Sequence, residues 1–586
     1  MYRATLLGAL AAFVVLLFSV VSRPAPLRSD TAADAFDGAR AAALARELVK
    51  VAPERPPGSG GDAAAARLVE RRFRSFEGGQ VSEQRFVADV DGSTVRMRNV
   101  TLVLPGTKSD ERLVLIAPRD CAAGTCAASS AAASAALVEL ATALEATRHR
   151  KTVLLVSTDG SAAGAAGARV LADALELEPA EAALVISQPG AKAESRPFVV
   201  PWSAGPQSAS IGLLESAGAA VESEVGPDPA PLGSAESLFR LAIPSGLGEQ
   251  AVLIRGGVDA IALSSAGDRP LPESRDGRGS LDPDTLGRFG RAALSLTLAL
   301  DGSDEPLDHG PDTYVPLAGK LIPGWALALL AAALLLPIGL ASVDGLARAS
   351  RRREPVLRTL GWVLARATPF LATLVLAYLM ASVGAIPDPE FPFDPAREPL
   401  DAGATLALLA LVAAFSAATL AARPLGPPAA AEEAVAPAVG LFAFLASAAI
   451  WLVNPYFALL LVPAVHLWTA AALPEMRGRA LPSLLAAAAG LVLPIVAVAA
   501  LAASFGVGLE VPWQLLLLFT GQHFGPLAAL PLCALGGCLA AVVELALRDR
   551  EQGPGRRRAG EPRLGSHAGP GSLGGPPSRL TPGHKF

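Results

Sequence analysis

The chain has 586 residues, of which 52% are hydrophobic and 18% charged, and its net charge is −5. Soluble domains carry about a quarter charged residues, so a large part of this chain belongs in an apolar environment. No basic field and no nucleic-acid motif points to a nucleic-acid partner, and four cysteines are too few for a disulfide framework.

An apolar run over residues 6–21 follows Arg3 and ends at Ser22, Arg23 and Pro24. It lacks a small-x-small cleavage site, so residues 1–30 read as a signal anchor that delivers the following segment outside the cytoplasm.

Residues 31–315 read as one extracytoplasmic domain. Amphipathic helices are predicted over 38–50 and 62–75, the second with Asp62 as N-cap after a Pro/Gly loop. Strand-like runs follow at 80–88, 94–104 and 112–117, then helix 128–147, strand 152–157, helix 163–176 and strand 182–187. Helices alternating with β-rich apolar runs indicate an α/β domain with a mostly parallel central sheet. Cys121 and Cys126 either bridge or are small residues in a packed site, and two thiols alone make no tetrahedral zinc site. His149, between Arg148 and Arg150, reads as solvent-facing, and His309 as part of a solvated acidic linker with Asp308 and Asp312.

Residues 320–547 are almost continuously apolar. Stretches near the ~20 residues a helix needs to cross a bilayer occur at 321–343, 361–385, 403–422, 436–453, 455–473, 482–504 and 525–546, which predicts an all-α bundle of seven helices. Arg348, Arg351, Arg352, Arg353 and Arg358 place the first loop in the cytoplasm, and the acidic loop 386–402 falls outside. Arg477 and Arg479 return inside, as does the basic tail 548–586, whose Gly, Pro, Ser and Arg content predicts disorder. The leftover segment 513–520 reads as an interfacial or re-entrant helix turning at Gly521, Gln522, His523 and Phe524. Within the spans, Arg366 and Glu544 lie near span ends and are expected to snorkel, while His466 reads as a packed helix contact.

The motif order across 50–265 resembles the M28 zinc aminopeptidases. Arg55-Pro-Pro-Gly-Ser precedes a helix, Asn99-Val100 and Pro105-Gly106 resemble that family's hairpin, and 113–120 resembles its strand ending in His-x-Asp. Residues 126–141, closing on Glu139-Leu140-Ala141, resemble its "GADDNASG…LELA" helix, and 153–169 its "FDxEExGLxGSR" turn. The resemblance implies a dinuclear zinc site with a glutamate base. The ligand positions, however, carry Pro118, Ala128, Ser161-Ala162, Ser187 and Gln250, with Asp120 alone retained. Proline cannot replace an imidazole, nor alanine a carboxylate, so no catalytic, cofactor-binding or metal-ligating residue is assigned. Serine, cysteine and phosphate-loop chemistries lack their partner residues as well.

The architecture, an N-terminal span, an M28-like domain without zinc ligands and several C-terminal spans, resembles the non-catalytic peptidase-like subunit of the GPI-anchor transamidase. The expected role is therefore a pseudoenzyme in the plasma membrane that binds or scaffolds, contacting lipid and a protein or peptide at its extracytoplasmic domain. Two alternatives stand beside it: a membrane-bound aminopeptidase with displaced ligands, and a transporter or lipid-handling bundle with an accessory domain.

Overall fold

Runs of aliphatic and β-branched residues between 80 and 263 pair into one seven-stranded sheet. The computed structural model describes residues 2–29, 33–90, 92–192, 196–304, 306–424, 432–521 and 523–552; Gln522 and nearly all of the basic tail lie outside them. The strands are β1 (Val21–Ser22), β2 (Gln80–Val90), β3 (Ser93–Leu104), β4 (Lys108–Pro118), β5 (Lys151–Thr158), β6 (Ala182–Ile186), β7 (Val199–Val200), β8 (Ala260–Leu263), β9 (Tyr314–Leu317) and β10 (Lys320–Pro323). The large sheet runs β2-β3-β5-β4-β6-β8-β7. Its centre, β5-β4-β6-β8, is parallel, and antiparallel strands close both edges. This is the mixed, mostly parallel sheet expected from the alternation of helices and strands.

Side chains alternate across a strand, and β4 shows both consequences. Leu113 and Leu115 enter a core with Phe73, Leu137 and Phe289, under the helices Gly60–Phe73, Ser130–Glu145 and Pro283–Gly302. Val114 and Ile116 face the other way, onto the helices Ala166–Leu177 and Glu249–Arg255. A strand buried on both faces reads as a continuous apolar run, as Leu-Val-Leu-Ile does here.

Three local readings need correction. The helix expected from 62 begins at Gly60, and its N-cap is Ser59, whose hydroxyl accepts from the Asp62 amide. Gly61 makes the early start possible, because a Cβ there would lie 1.9 Å from the Glu54 carbonyl oxygen. The helix expected from 163 begins at Ala166, since Gly160, Gly164 and Ala165 are left-handed and form a turn first. His149 is buried rather than exposed: its Nε2 lies 2.7 Å from the Leu144 carbonyl, and its Nδ1 lies 3.6 Å from Asp301.

Among the described residues, five helices are long and apolar enough to cross a membrane: Gly324–Arg351, Val356–Ser382, Ala402–Ala422, Glu433–Val453 and Ala528–Arg548. A sixth span is formed if Ala480–Gly490 and Val492–Phe505, bent by 42°, count as one. Pro494 explains the break, for it lacks an amide proton and crowds the carbonyl of residue 490. The seventh expected span is Pro455–Ala471, with 17 residues, or about 25 Å of helix, somewhat short of the hydrocarbon thickness. The helix Tyr2–Phe18 is equally short, and β1 after it pairs with β10, which leads directly into Gly324–Arg351. The interfacial segment is a ten-residue helix, Val511–Thr520.

Arg366 and Glu544 do not snorkel apart; they pair. Arg366 is 7% exposed and donates to Glu544 at 3.1 Å and to the Ala422 carbonyl at 2.8 Å, tying three helices together. Glu544→Gln leaves that guanidinium without a counter-charge, and the bundle is expected to lose about 2 kcal/mol. A lower thermal midpoint of the full chain in detergent, partly restored by the Arg366→Met/Glu544→Gln double variant, checks this. His466 is a helix contact as expected, its Nε2 lying 2.9 Å from the Leu334 carbonyl.

Candidate functional site

In open α/β sheets the functional crevice lies beyond the carboxyl ends of the parallel strands. Here those ends are Pro118, Thr158, Ile186 and Leu263; Pro118, Asp120, Ala128, Ser161, Ala162 and Ser187 lie at or after the ends of β4, β5 and β6, while Gln250 is in the first turn of the helix that leads into β8.

The turn Arg55-Pro-Pro-Gly-Ser builds one wall. Arg55 is 1% exposed, and its guanidinium donates to the carbonyls of Ala52, Arg119 and Thr125 and to the Ser130 hydroxyl. It thereby pins the loop after β4 against the start of the next helix. Gly58 is left-handed (φ +63°) and sits 2.7 Å, measured from where a Cβ would be, from the Arg96 carbonyl oxygen. Its amide donates to Asp159 Oδ1 at 3.1 Å.

At the centre, Arg119 is buried and forks onto Asp62 with bonds of 2.8 and 2.9 Å. Its remaining donors reach the carbonyls of Ser157 and Arg98, and Asp159 lies 3.6 Å away. Asp62, moved one turn into its helix by the Ser59 cap, is thus the counter-ion of a buried arginine. Cys121 and Cys126 form a disulfide, the first of the two readings left open for them.

Asp120, the retained carboxylate, is 3% exposed and accepts from the amides of Ser161 and Ala162, each at 2.8 Å. Burial pushes it up to about 6 against the pull of those amides. Ala128 and Ser129 also face an acid: Asp276, from the loop before the helix Pro283–Gly302, accepts from the Ala128 amide at 2.8 Å and the Ser129 amide at 3.2 Å. Ser187 uses its amide in the ladder to Leu263, and Gln250 donates to the Leu247 carbonyl at 2.6 Å. Glu249 is 1% exposed, its Oε1 bonds the Thr158 hydroxyl and its Oε2 has no partner. Burial pushes Glu249 up to about 8.

These residues do not fit a zinc pair. Among the described residues no three His, Cys, Asp or Glu side chains gather where they could hold a metal ion. The donors that are present already serve main-chain amides, a hydroxyl and a guanidinium. His309 lies away from the strand ends, hydrogen-bonded to Asp259 at 2.9 Å, which raises its pKa.

A second feature, invisible in the motif order, covers the site. The loop between Val356–Ser382 and Ala402–Ala422 lies against the turn after β5. Arg397 donates to the Ala162 carbonyl at 2.5 Å, and Glu390 holds Arg169, which in turn donates to the Gly164 carbonyl at 2.6 Å. Phe391 stacks on His523 with ring centroids 3.7 Å apart, and His523 Nε2 lies 3.2 Å from the Pro244 carbonyl. The bundle thus touches both turns that flank Asp120 and Glu249. A groove of about 500 Å³ beside Gly58, Asp62 and Asp159, lined also by Arg85 and Arg96, stays open.

Several solved structures are similar to this chain. A glutaminyl cyclase from an Acidobacteriales bacterium is 19% identical, over 48% of this chain and 97% of that one, with a TM-score of 0.37. LapB from Legionella pneumophila is 15% identical over 49% of this chain and 79% of its own, with a TM-score of 0.40. A leucine aminopeptidase precursor from Bacteroides thetaiotaomicron is 15% identical over 47% and 98%, with a TM-score of 0.32. No family model and no curated protein matches the sequence.

Proposed function

We propose that the chain is a catalytically inactive, M28-like protein of the plasma membrane that binds or scaffolds a protein or peptide partner outside the cytoplasm. In this reading 1–30 is an anchor, 31–315 the extracytoplasmic domain and 320–547 the membrane domain. The observation that carries it is Asp120: both its oxygens hold the main chain of Ser161 and Ala162, the turn that would have to supply the base and the second carboxylate. Main-chain amides thus occupy both oxygens of the one carboxylate that remains.

Sidedness is supported by charge. The arginines at 348 and 351–353 close the far end of Gly324–Arg351, whose first residue follows β10. With arginine-rich loops in the cytoplasm, the α/β unit lies outside, together with the loop that carries Glu390 and Arg397.

Zinc content and turnover of the purified full chain, incubated with excess zinc, test the reading. The expected result is no stoichiometric zinc and no cleavage of aminoacyl substrates or cyclisation of an N-terminal glutamine. Stoichiometric zinc with turnover of either substrate sinks it.

A further inference from the structure

Two cavities adjoin where the α/β unit meets the bundle, and both are lined by Phe391. The first encloses about 990 Å³, the size of a small-molecule site. Five carboxylates and two guanidinium groups line it, so it is acidic on balance. Of the two cations, Arg169 is held by Glu390. Arg255, the last residue of its helix, has no ion-pair partner among the described residues.

The second cavity is narrower, about 90 Å³, with apolar walls that include Leu247, Phe393, Leu501, Phe505 and Leu518. Gln514 also lines it and is 7% exposed. Its Nε2 donates to the carbonyls of Pro395 at 3.2 Å and Glu398 at 2.7 Å. Carbonyls only accept, so Nε2 is fixed toward them and Oε1 is the atom left over. Gln514 Oε1 and the Ser245 hydroxyl, both in residues of this wall, are buried and have no partner among the described residues. A buried acceptor without a donor is costly, so a small shift of this wall that lets a ligand hydroxyl or amine reach it is favoured.

One chemistry meets all of these demands. We propose that the paired cavities bind a single-chain zwitterionic phospholipid. Its ammonium sits among the carboxylates of the large cavity, its phosphate meets Arg255, and its free glycerol hydroxyl donates to Gln514 Oε1. The narrow cavity admits one chain, which continues along Leu493, Ile495 and Val496, the exposed apolar residues of the helix that walls it. An anionic head group is disfavoured by the acidic balance, and a second acyl chain by the width.

Binding of oleoyl-lysophosphatidylethanolamine, oleoyl-lysophosphatidylglycerol and dioleoyl-phosphatidylethanolamine to the full chain in detergent tests this by native mass spectrometry. The amine lysolipid is expected to saturate at one per chain, with each of the other two about tenfold weaker. Ala502→Phe, which fills the narrow cavity, is expected to weaken the lysolipid at least about tenfold with an unchanged melting midpoint. Arg255→Gln, at an exposed helix end, is expected to weaken it about fivefold. Equal binding of the glycerol lysolipid, tighter binding of the two-chain lipid, or unsaturable uptake overturns the proposal, the last leaving a cavity filled by water alone. Should Ala502→Phe fail to fold, the head-group comparison on the unaltered chain decides.

Discussion

Arg119→Met is expected to cost the α/β unit about 3–5 kcal/mol, a large share of the roughly 5–15 kcal/mol that holds an ordinary domain folded. The side chain is 1% exposed and satisfies Asp62 through two parallel bonds, with Asp159 beside it. Removing it leaves buried carboxylates facing one another without a cation. Lysine does not rescue it, because a single ammonium cannot span Asp62 while also reaching the carbonyls of Ser157 and Arg98. The double variant Arg119→Met/Asp62→Leu is expected to recover part of the loss, since it removes charge of both signs. Thermal unfolding of the full chain in detergent, with limited proteolysis between residues 33 and 304 as a second readout, measures it. An unchanged midpoint for Arg119→Met would mean that the buried acids are neutral in the folded chain and need no cation beside them.

How much of this was readable beforehand depends on the distance along the chain over which each feature is encoded. The helices and strands up to residue 187 and the apolar spans follow from local periodicity, and β4 through β6 form within a few residues of their predicted limits, whereas the order of strands in the sheet and the helices between 211 and 302 were not read. That Pro118, Ala128, Ser161, Ala162, Ser187 and Gln250 carry neither imidazole nor carboxylate is also a local fact of residue type. The long-range contacts around them are not. Arg119 finds Asp62 across 57 positions, Ser129 finds Asp276 across 147, Arg366 finds Glu544 across 178, and Arg397 finds Ala162 across 235. No pattern in a window of fifteen residues can pair such groups. Asp62 misled for a related reason: an acid after Gly-Gly looks like a cap, but Ser59 is better placed and frees Asp62 to turn inward. A buried arginine in a strand-end loop, such as Arg119, was the available signal, because it obliges an acid to be nearby.

The covering loop changes how the domain and the bundle relate. Arg397 and Glu390, from the loop between Val356–Ser382 and Ala402–Ala422, engage the turn after β5 and cover that part of the strand-end crevice. The partner surface of the proposed scaffold therefore lies elsewhere on the α/β unit, and the groove along β2 and β3, with Arg85 and Arg96 exposed beside Asp159, remains accessible.

Glu249 gives the site a pH signature. The Thr158 hydroxyl has one proton and two acceptors, the Ala117 carbonyl and Glu249 Oε1; a protonated Glu249 donates to Thr158, which then donates to Ala117. Burial holds the folded-state value near 8, against 4.5 for a free glutamate. A raised carboxyl contributes stability that is complete below its unfolded value and is lost as pH rises through its folded value. Between pH 6 and pH 9 the α/β unit should therefore lose about 3 kcal/mol through this group. Glu249→Gln keeps the shape and can donate to Thr158 at any pH, so its stability curve should be flatter, with the variant ahead of the unaltered chain by about 2 kcal/mol at pH 6 and about 5 kcal/mol at pH 9, the two meeting only below the unfolded value of 4.5. Melting midpoints of both proteins across that range decide the matter. Parallel curves would place the proton elsewhere, whereas curves that converge on acidification would mean that Glu249 itself carries the proton in the folded chain.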